Sequence, residues 1–184
     1  MADTYLRLPD WRIRGVGRNL SSSAALEWKS KGVEMVKGDF DDVESLKGAF
    51  ADADVIFGVT DFWTIFQDPA SQEKKNTDQD ILHYCYEVEL QQAKNLADAA
   101  ASVPGLSRFI FSSMADATKY SKGKFQQLYH MNSKAHAVYY MQSLPSLKGK
   151  FSQVQAPIYF QLPLLWGLPI TPKKVGSTLF LLTS

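Results

Sequence analysis

One cysteine, Cys85, stands in 184 residues. A single thiol cannot close an internal disulfide, and such scarcity suits a reducing compartment. Histidines are almost as rare, at three, and His83 with Cys85 has no second pair to complete a zinc site. The acids at 39, 41 and 42 lack the glycine and distal glutamate of a calcium loop, so no metal is expected. An excess of one charge is missing too. The formal charge is +1, so no broad field draws the chain to nucleic acid or to an anionic membrane. No stretch of about 18 apolar residues occurs, which argues against a membrane span. The most apolar tract, residues 157–170, is interrupted by Pro157, Pro163, Gly167 and Pro169, and reads as a loop or docking surface. The N-terminus, Met-Ala-Asp-Thr-Tyr-Leu-Arg, lacks the basic-then-apolar order of a secretory signal.

What is present is globular. Hydrophobic residues make up 45% and charged residues 21%, in a chain long enough for one ordinary domain. Residues 2–8 read as the tail of a helix stopped by Pro9, and residues 11–16 as a weakly alternating strand. Ser21-Ser22-Ser23 offers an N-cap to a helix over 24–31, and Gly32 ends it. A strand over 33–37 turns through Gly38-Asp39-Phe40-Asp41-Asp42 into a helix over 43–50, with Asp41 and Glu44 at capping-box spacing. Residues 54–60 hold an unbroken apolar run, the pattern of a strand buried on both faces. Residues 61–80 mix Phe62, Trp63, Ile65 and Phe66 with a polar run and read as a long loop. Helices are expected over 81–103 and 125–143, and strands over 108–111 and 151–155.

Strands separated by helices of these lengths build a parallel sheet with right-handed crossovers. The expected class is α/β, a doubly wound parallel sheet of Rossmann type, with ligands at the carboxyl ends of its strands. At such an end, an arginine accepts the 2′-phosphate of NADP, where an acid would read the free hydroxyl of NAD. Arg18 follows the strand over 11–16 and is the candidate, with Asn19 beside it; an ordinary turn arginine is the plainer alternative. Asp39 and Phe40 follow the next strand, where they could meet an adenine, although helix capping explains the neighbouring Asp41 and Asp42. Thr60 and Phe62 follow the strand that would border the nicotinamide half of a dinucleotide. Ser113, His130 and Lys134 form the most enzyme-like set. Lys134 lies one helical turn after His130, so the two share a face. A histidine there could serve as a proton donor, and an exposed helical histidine is the plain alternative.

Several motifs occur together in order: Val16-Gly-Arg-Asn19, Gly32-Val-Glu-Met-Val-Lys-Gly-Asp-Phe40, Ala53-Asp-Val-Ile-Phe-Gly-Val-Thr60-Asp-Phe-Trp63, Glu89-Leu-Gln-Gln-Ala-Lys94, Phe109-Ile-Phe-Ser-Ser113, His130-Met-Asn-Ser-Lys134 and Pro157-Ile-Tyr-Phe160. Across residues 10–161 this series resembles the NmrA-like family, the atypical short-chain dehydrogenase/reductases. The resemblance implies NADP as cofactor, Arg18 as reader of its phosphate and Lys134 as the lysine at its ribose. It also implies a nicotinamide pocket lined by Thr60 with its neighbours and by Tyr159 and Phe160. Dehydrogenases of the wider group carry tyrosine where this chain has His130, and a histidine there is similar to what some family members show.

The resemblance also implies an opening strand and a Gly-x-x-Gly-x-x-Gly loop that holds the diphosphate at a helix N-terminus. This sequence contains neither before residue 11. On this reading residues 1–150 are an incomplete dinucleotide-binding domain that begins inside the helix after that loop. Residues 151–184 are then the start of a shortened substrate-binding segment. Losing that strand would leave the strands over 11–16 and 54–60 without their shared neighbour, unless they pair directly. Three functions remain open. One is an NADP(H)-dependent oxidoreductase acting on a small molecule, such as a tailoring enzyme of fungal secondary metabolism. The second is a non-catalytic NADP(H) sensor that regulates a protein partner. The third is a degenerate fragment without activity. A cytoplasmic location is expected, or a nuclear one for a regulator.

Overall fold

Short capped helices and apolar strands alternate along residues 2–155, the part of the chain that this computed structural model describes. Tyr159 and Phe160 lie outside the described residues. A one-turn helix, α1 (Ala2–Tyr5), precedes strand β1 (Arg14–Gly17). The strand starts later than residue 11. Trp11 instead sets its ring edge-on to Tyr5, 4.9 Å between centroids, and stays outside the ladder. Helix α2 (Ser23–Ser30) is capped by Ser22, whose Oγ accepts from the Ala25 amide, and strand β2 (Glu34–Lys37) follows. Asp42, not Asp41, caps α3 (Val43–Phe50): its Oδ1 accepts from the amides of Glu44 and Ser45. Asp41 accepts instead from the Gln92 side chain at 3.0 Å.

After strand β3 (Val55–Gly58) the expected long loop is two helices, α4 (Phe62–Gln67) and α5 (Pro69–Lys74). Asp61 caps the first and Asp68 the second, and Pro69 occupies a first-turn position where its missing N–H costs nothing. Each is too short to show helical periodicity. Asp80 then caps the long helix α6 (Ile81–Ala101), and strand β4 (Arg108–Ser113) follows. A turn-length helix, α7 (Ala117–Tyr120), comes next. Helix α8 (Tyr129–Ser143) begins four residues later than the apolar spacing suggests; residues 125–128 belong to the turn before it, where the Gln126 carbonyl accepts from the Asn132 side chain. Strand β5 (Phe151–Gln155) closes the described chain.

Among the described residues all pairings between strands are parallel, and they form two sheets, β1-β2 and β3-β4-β5. Among the described residues β1 and β3 do not pair, so each keeps an open edge. The right-handed crossover rule puts α6 and α8 on one face of the larger sheet. Leu46 and Ala49 of α3, Leu96 of α6, and Val138 and Met141 of α8 form one core with Phe109 and Phe111. Val16 and Val36 of the smaller sheet pack against the same core. Strand β3 is not buried on both faces. Ile56 and Gly58 are buried, whereas Val55 and Phe57, with Val59 just after the strand, are 37%, 41% and 44% exposed. The helices seal one face of the sheet, and that alternation is the result.

Candidate functional site at the carboxyl ends of the strands

A cleft of about 500 Å³ opens where β1 and β2 end and α4, α5 and α6 approach. Arg18, Gly38, Asp39 and Phe40 line one wall, and Asp61, Thr64, Tyr84 and Val88 line the other. The local chain explains the strand-end wall. Gly38 lies so close to β1 that a Cβ there would come within 2.5 Å of Val16 Cγ1. The glycine therefore lets the turn after β2 lie against β1 and brings Asp39 and Phe40 level with Arg18.

Arg18 makes no hydrogen bond or ion pair within the described residues, and its guanidinium remains available at the cleft. Arg14 is the contrast. It bonds Glu34 at 3.1 Å and donates to the carbonyls of Ala49 and Ala51 at 3.1 and 2.7 Å, tying β1 to α3. The carboxylates of the cleft have local duties. Asp61 caps α4, Asp68 caps α5, and Asp39 Oδ1 accepts from the Asp41 amide at 3.1 Å. Asn19 turns its Oδ1 to the Ser21 amide, 2.9 Å, so its carbonyl end shapes the turn and only its amide nitrogen stays free within the described residues. Phe40 is half-buried, and its carbonyl accepts from Asn95 at 2.7 Å.

Thr60, His130 and Lys134 lie outside the lining of that cleft and form a second cluster past the end of β3. Lys134 Nζ donates to the Thr60 carbonyl at 2.6 Å, to Thr60 Oγ1 at 3.0 Å and to Glu89 Oε1 at 2.5 Å. Thr60 Oγ1 in turn donates to Glu89 Oε1 at 2.9 Å, and Ser133 Oγ donates to Glu89 Oε2. Glu89 and Ser133 are fully buried. Reading the sequence as a helix surface misses Glu89. A signal was there: it sits on the α6 stripe of Cys85, Ala93, Leu96 and Ala100, all of them buried. Burial pushes the Cys85 thiol up, and the Glu89 charge adds to that.

His130 stands against an aromatic wall made by α4. Its ring lies 5.4 Å from Trp63 and 6.0 Å from Phe62, centroid to centroid. Phe62 is buried beneath it, and Trp63 is half exposed. Burial holds the His130 imidazole below its ordinary range. The Lys134 cation pushes the same way, and the Glu89 carboxylate opposes it. Ser113 does not join His130. It is 2% exposed, and its hydroxyl lies 3.3 Å from the carbonyls of both Met114 and Lys134. Tyr129 turns to His83 and Tyr86 on α6 instead. Among the described residues no group of three or more His, Cys, Asp or Glu side chains could hold a metal, and no helix is long and apolar enough to cross a membrane.

The depressed His130 carries a pH prediction. The folded chain binds this proton less readily than the unfolded chain, so stability rises with pH between the folded and unfolded values. The contribution is complete above the unfolded value, about 6.5, and falls away as acid is added below it. Urea midpoints should therefore drop between neutral and mildly acid pH more steeply in the parent than in His130→Phe. Parallel slopes would remove His130 as the cause.

The model of the NmrA-like family matches residues 2–163. Among solved structures, NmrA, a negative transcriptional regulator, superposes with a TM-score of 0.63 at 21% identity, over 86% of this chain and 41% of that one. Triphenylmethane reductase of Citrobacter sp., complexed with NADP(H), gives 0.55 at 18% identity, over 87% and 46%. An NADPH-dependent quinone oxidoreductase of Escherichia coli gives 0.53 at 13%, over 88% and 44%. At these identities the likeness speaks for the fold. The chain spans less than half the length of each of these three proteins.

Proposed function

The chain belongs to the NmrA-like family, and from that premise we propose that it is an NADP(H)-binding protein of oxidoreductase type. The observation that carries this reading is the guanidinium of Arg18, unpaired among the described residues, on the wall of a cleft at the carboxyl ends of parallel strands. The residues present fit the adenosine half of the cofactor. Arg18 would take the 2′-phosphate, Asn19 would add an amide donor, and Phe40 would offer a face to the base with Asp39 near its amino group. None of the residues that line the cleft belongs to a Gly-x-x-Gly-x-x-Gly loop, so the fit is argued for the adenosine half alone. When bound, the cofactor supplies a hydride acceptor or donor. The chain's own part in the chemistry falls to His130. Its depressed affinity for protons keeps the ring neutral at physiological pH, a state suited to taking a proton from a hydroxyl substrate. Ser113, with its hydroxyl among backbone carbonyls, is the weaker candidate. Lys134 would meet the nicotinamide ribose only by exchanging one of its internal bonds. A tailoring step in fungal secondary metabolism is a finer proposal that rests on the family resemblance alone.

Titration calorimetry with the purified chain tests the reading. NADPH should bind, and NADH more weakly. Equal affinities, or no binding of either, would overturn it. A second reading, a non-catalytic dinucleotide sensor with a protein partner, draws support from the committed protons of Lys134 and the enclosure of Ser113. Turnover of any hydroxyl or carbonyl substrate with NADP(H) by the isolated chain would defeat the sensor.

A further inference from the structure

An ammonium group has three protons to donate. Lys134 directs all of them inward: one to the Thr60 carbonyl, one to Thr60 Oγ1 and one to Glu89. The side chain is 13% exposed, and the carboxylate it faces is not exposed at all. Glu89 is satisfied on both oxygens. Oε1 takes Lys134 and Thr60, and Oε2 takes Ser133. No buried polar side-chain atom is left without a partner among the described residues. Three side chains from two places, Thr60 past the end of β3 and Ser133 and Lys134 in the first turns of α8, thus close on the one carboxylate that α6 presents.

We propose that Glu89 is a positioning residue: its carboxylate holds Lys134 against Thr60 and so fixes both the lysine and the start of α4 relative to His130. The proposal deepens the dinucleotide reading, since it concerns the group expected at the nicotinamide ribose and rests on that reading for its functional meaning. The route is short. The Thr60 carbonyl held by Lys134 is followed directly by Asp61, the cap of α4, and then by Phe62 and Trp63, whose rings face His130. Lys134 itself is one helical turn from His130 on α8, so a displaced ammonium changes the field at the imidazole. Among the described residues the charged and titratable groups that bear on His130 are Glu89 from α6 and Lys134 from α8, while α4 presents its aromatic wall. A carboxylate opposite the lysine makes the site nearly neutral. Without it a lone cation would stand beside the ring.

Glu89→Gln tests this, because the amide keeps the shape and an oxygen for Lys134 but loses the charge. In the chain without cofactor, His130 is followed through a pH titration by NMR, and Lys134 is followed by its rate of acetylation, read by mass spectrometry against the surface lysines. In Glu89→Gln the His130 midpoint should fall, and Lys134 should be acetylated at least about tenfold faster than in the parent, the factor that corresponds to loss of one charge-assisted bond. Ser133→Ala, which removes a bond to Glu89 without touching any charge, should leave the His130 midpoint in place. An unmoved midpoint with an unchanged acetylation rate in Glu89→Gln would overturn the proposal, as would an equal midpoint shift in Ser133→Ala. If Glu89→Gln fails to fold, Lys134→Arg serves in its place: the charge is kept but the single-point fit to Thr60 is lost, so the α4 rings should loosen against His130, and unchanged aromatic chemical shifts would count against the proposal. None of these readouts needs the dinucleotide. Failure of NADPH to bind would therefore sink the functional reading and leave the positioning role standing, and the reverse result would do the opposite.

Discussion

Lys134→Met should lower the unfolding free energy by about 3–5 kcal/mol, the usual cost of stripping one partner from a buried ion pair. The reason is the environment of Glu89. Its carboxylate is fully enclosed and cannot turn to water when the ammonium goes. Thr60 and Ser133 would still donate to it, but two hydroxyls do not neutralise a charge. The Thr60 carbonyl also loses its 2.6 Å donor. Set against a total stability of about 5–15 kcal/mol for an ordinary domain, this single substitution takes a large share. Urea denaturation of the two chains measures it. The double variant Glu89→Leu with Lys134→Met should recover most of the loss, since apolar replacement of a whole buried pair is often neutral. A loss under about 1 kcal/mol in the single variant would mean that the pair behaves as a solvated one. The prediction also bears on how activity data are read. A dead Lys134 variant is evidence about catalysis only if its fold is intact at the assay temperature.

The sequence discloses this fold unevenly, and the reasons are local. Residues 108–111 read as a strand because their apolar run has no helical period, and residues 81–103 read as a helix because Val88, Ala93, Leu96 and Ala100 recur at helical spacing; in the structure the strand runs on to Ser113 and the helix stops at Ala101. Helices α4 and α5, six residues each, fall below the window in which periodicity can be heard. Their signals were the caps, Asp61 and the Asp68-Pro69 pair, which look like loop residues when the polar run around them is weighted more heavily. The strand-end residues Arg18, Asp39 and Phe40 could be grouped in advance, because parallel strands bring their carboxyl ends to one edge. Glu89 could not. Its partners are 29, 44 and 45 positions away, and a helix acid is ordinarily solvated. The separation of the strands into two sheets was legible as a condition only: β1 and β3 would lack a shared neighbour unless they met, and they do not meet.

Arg18→Ala should weaken NADPH binding by roughly tenfold to a hundredfold and leave NADH unchanged, so that the parent's preference between them disappears. The magnitude follows from a charge-assisted contact to a phosphate, about 1.5–3 kcal/mol, at 1.4 kcal/mol per tenfold. The lower end is the better guide, since Arg18 is exposed and salt screens a contact of that kind. The preference for NADPH should accordingly shrink as salt is raised, and Arg18→Lys should keep part of it, because an ammonium supplies the charge without the planar fork. Arg14 is the internal control. Its guanidinium is committed to Glu34 and to two carbonyls at the end of α3, those of Ala49 and Ala51, so Arg14→Ala should cost stability and leave the cofactor preference alone. Equal weakening of both cofactors by Arg18→Ala would mean that the guanidinium supports the cleft without reading the 2′-phosphate. A selective loss in Arg14→Ala would move the phosphate site to Arg14, within β1. Calorimetry on the four chains, at two salt concentrations, separates these outcomes, because a 2′-phosphate is the one feature by which the two cofactors differ and a folding defect cannot tell them apart.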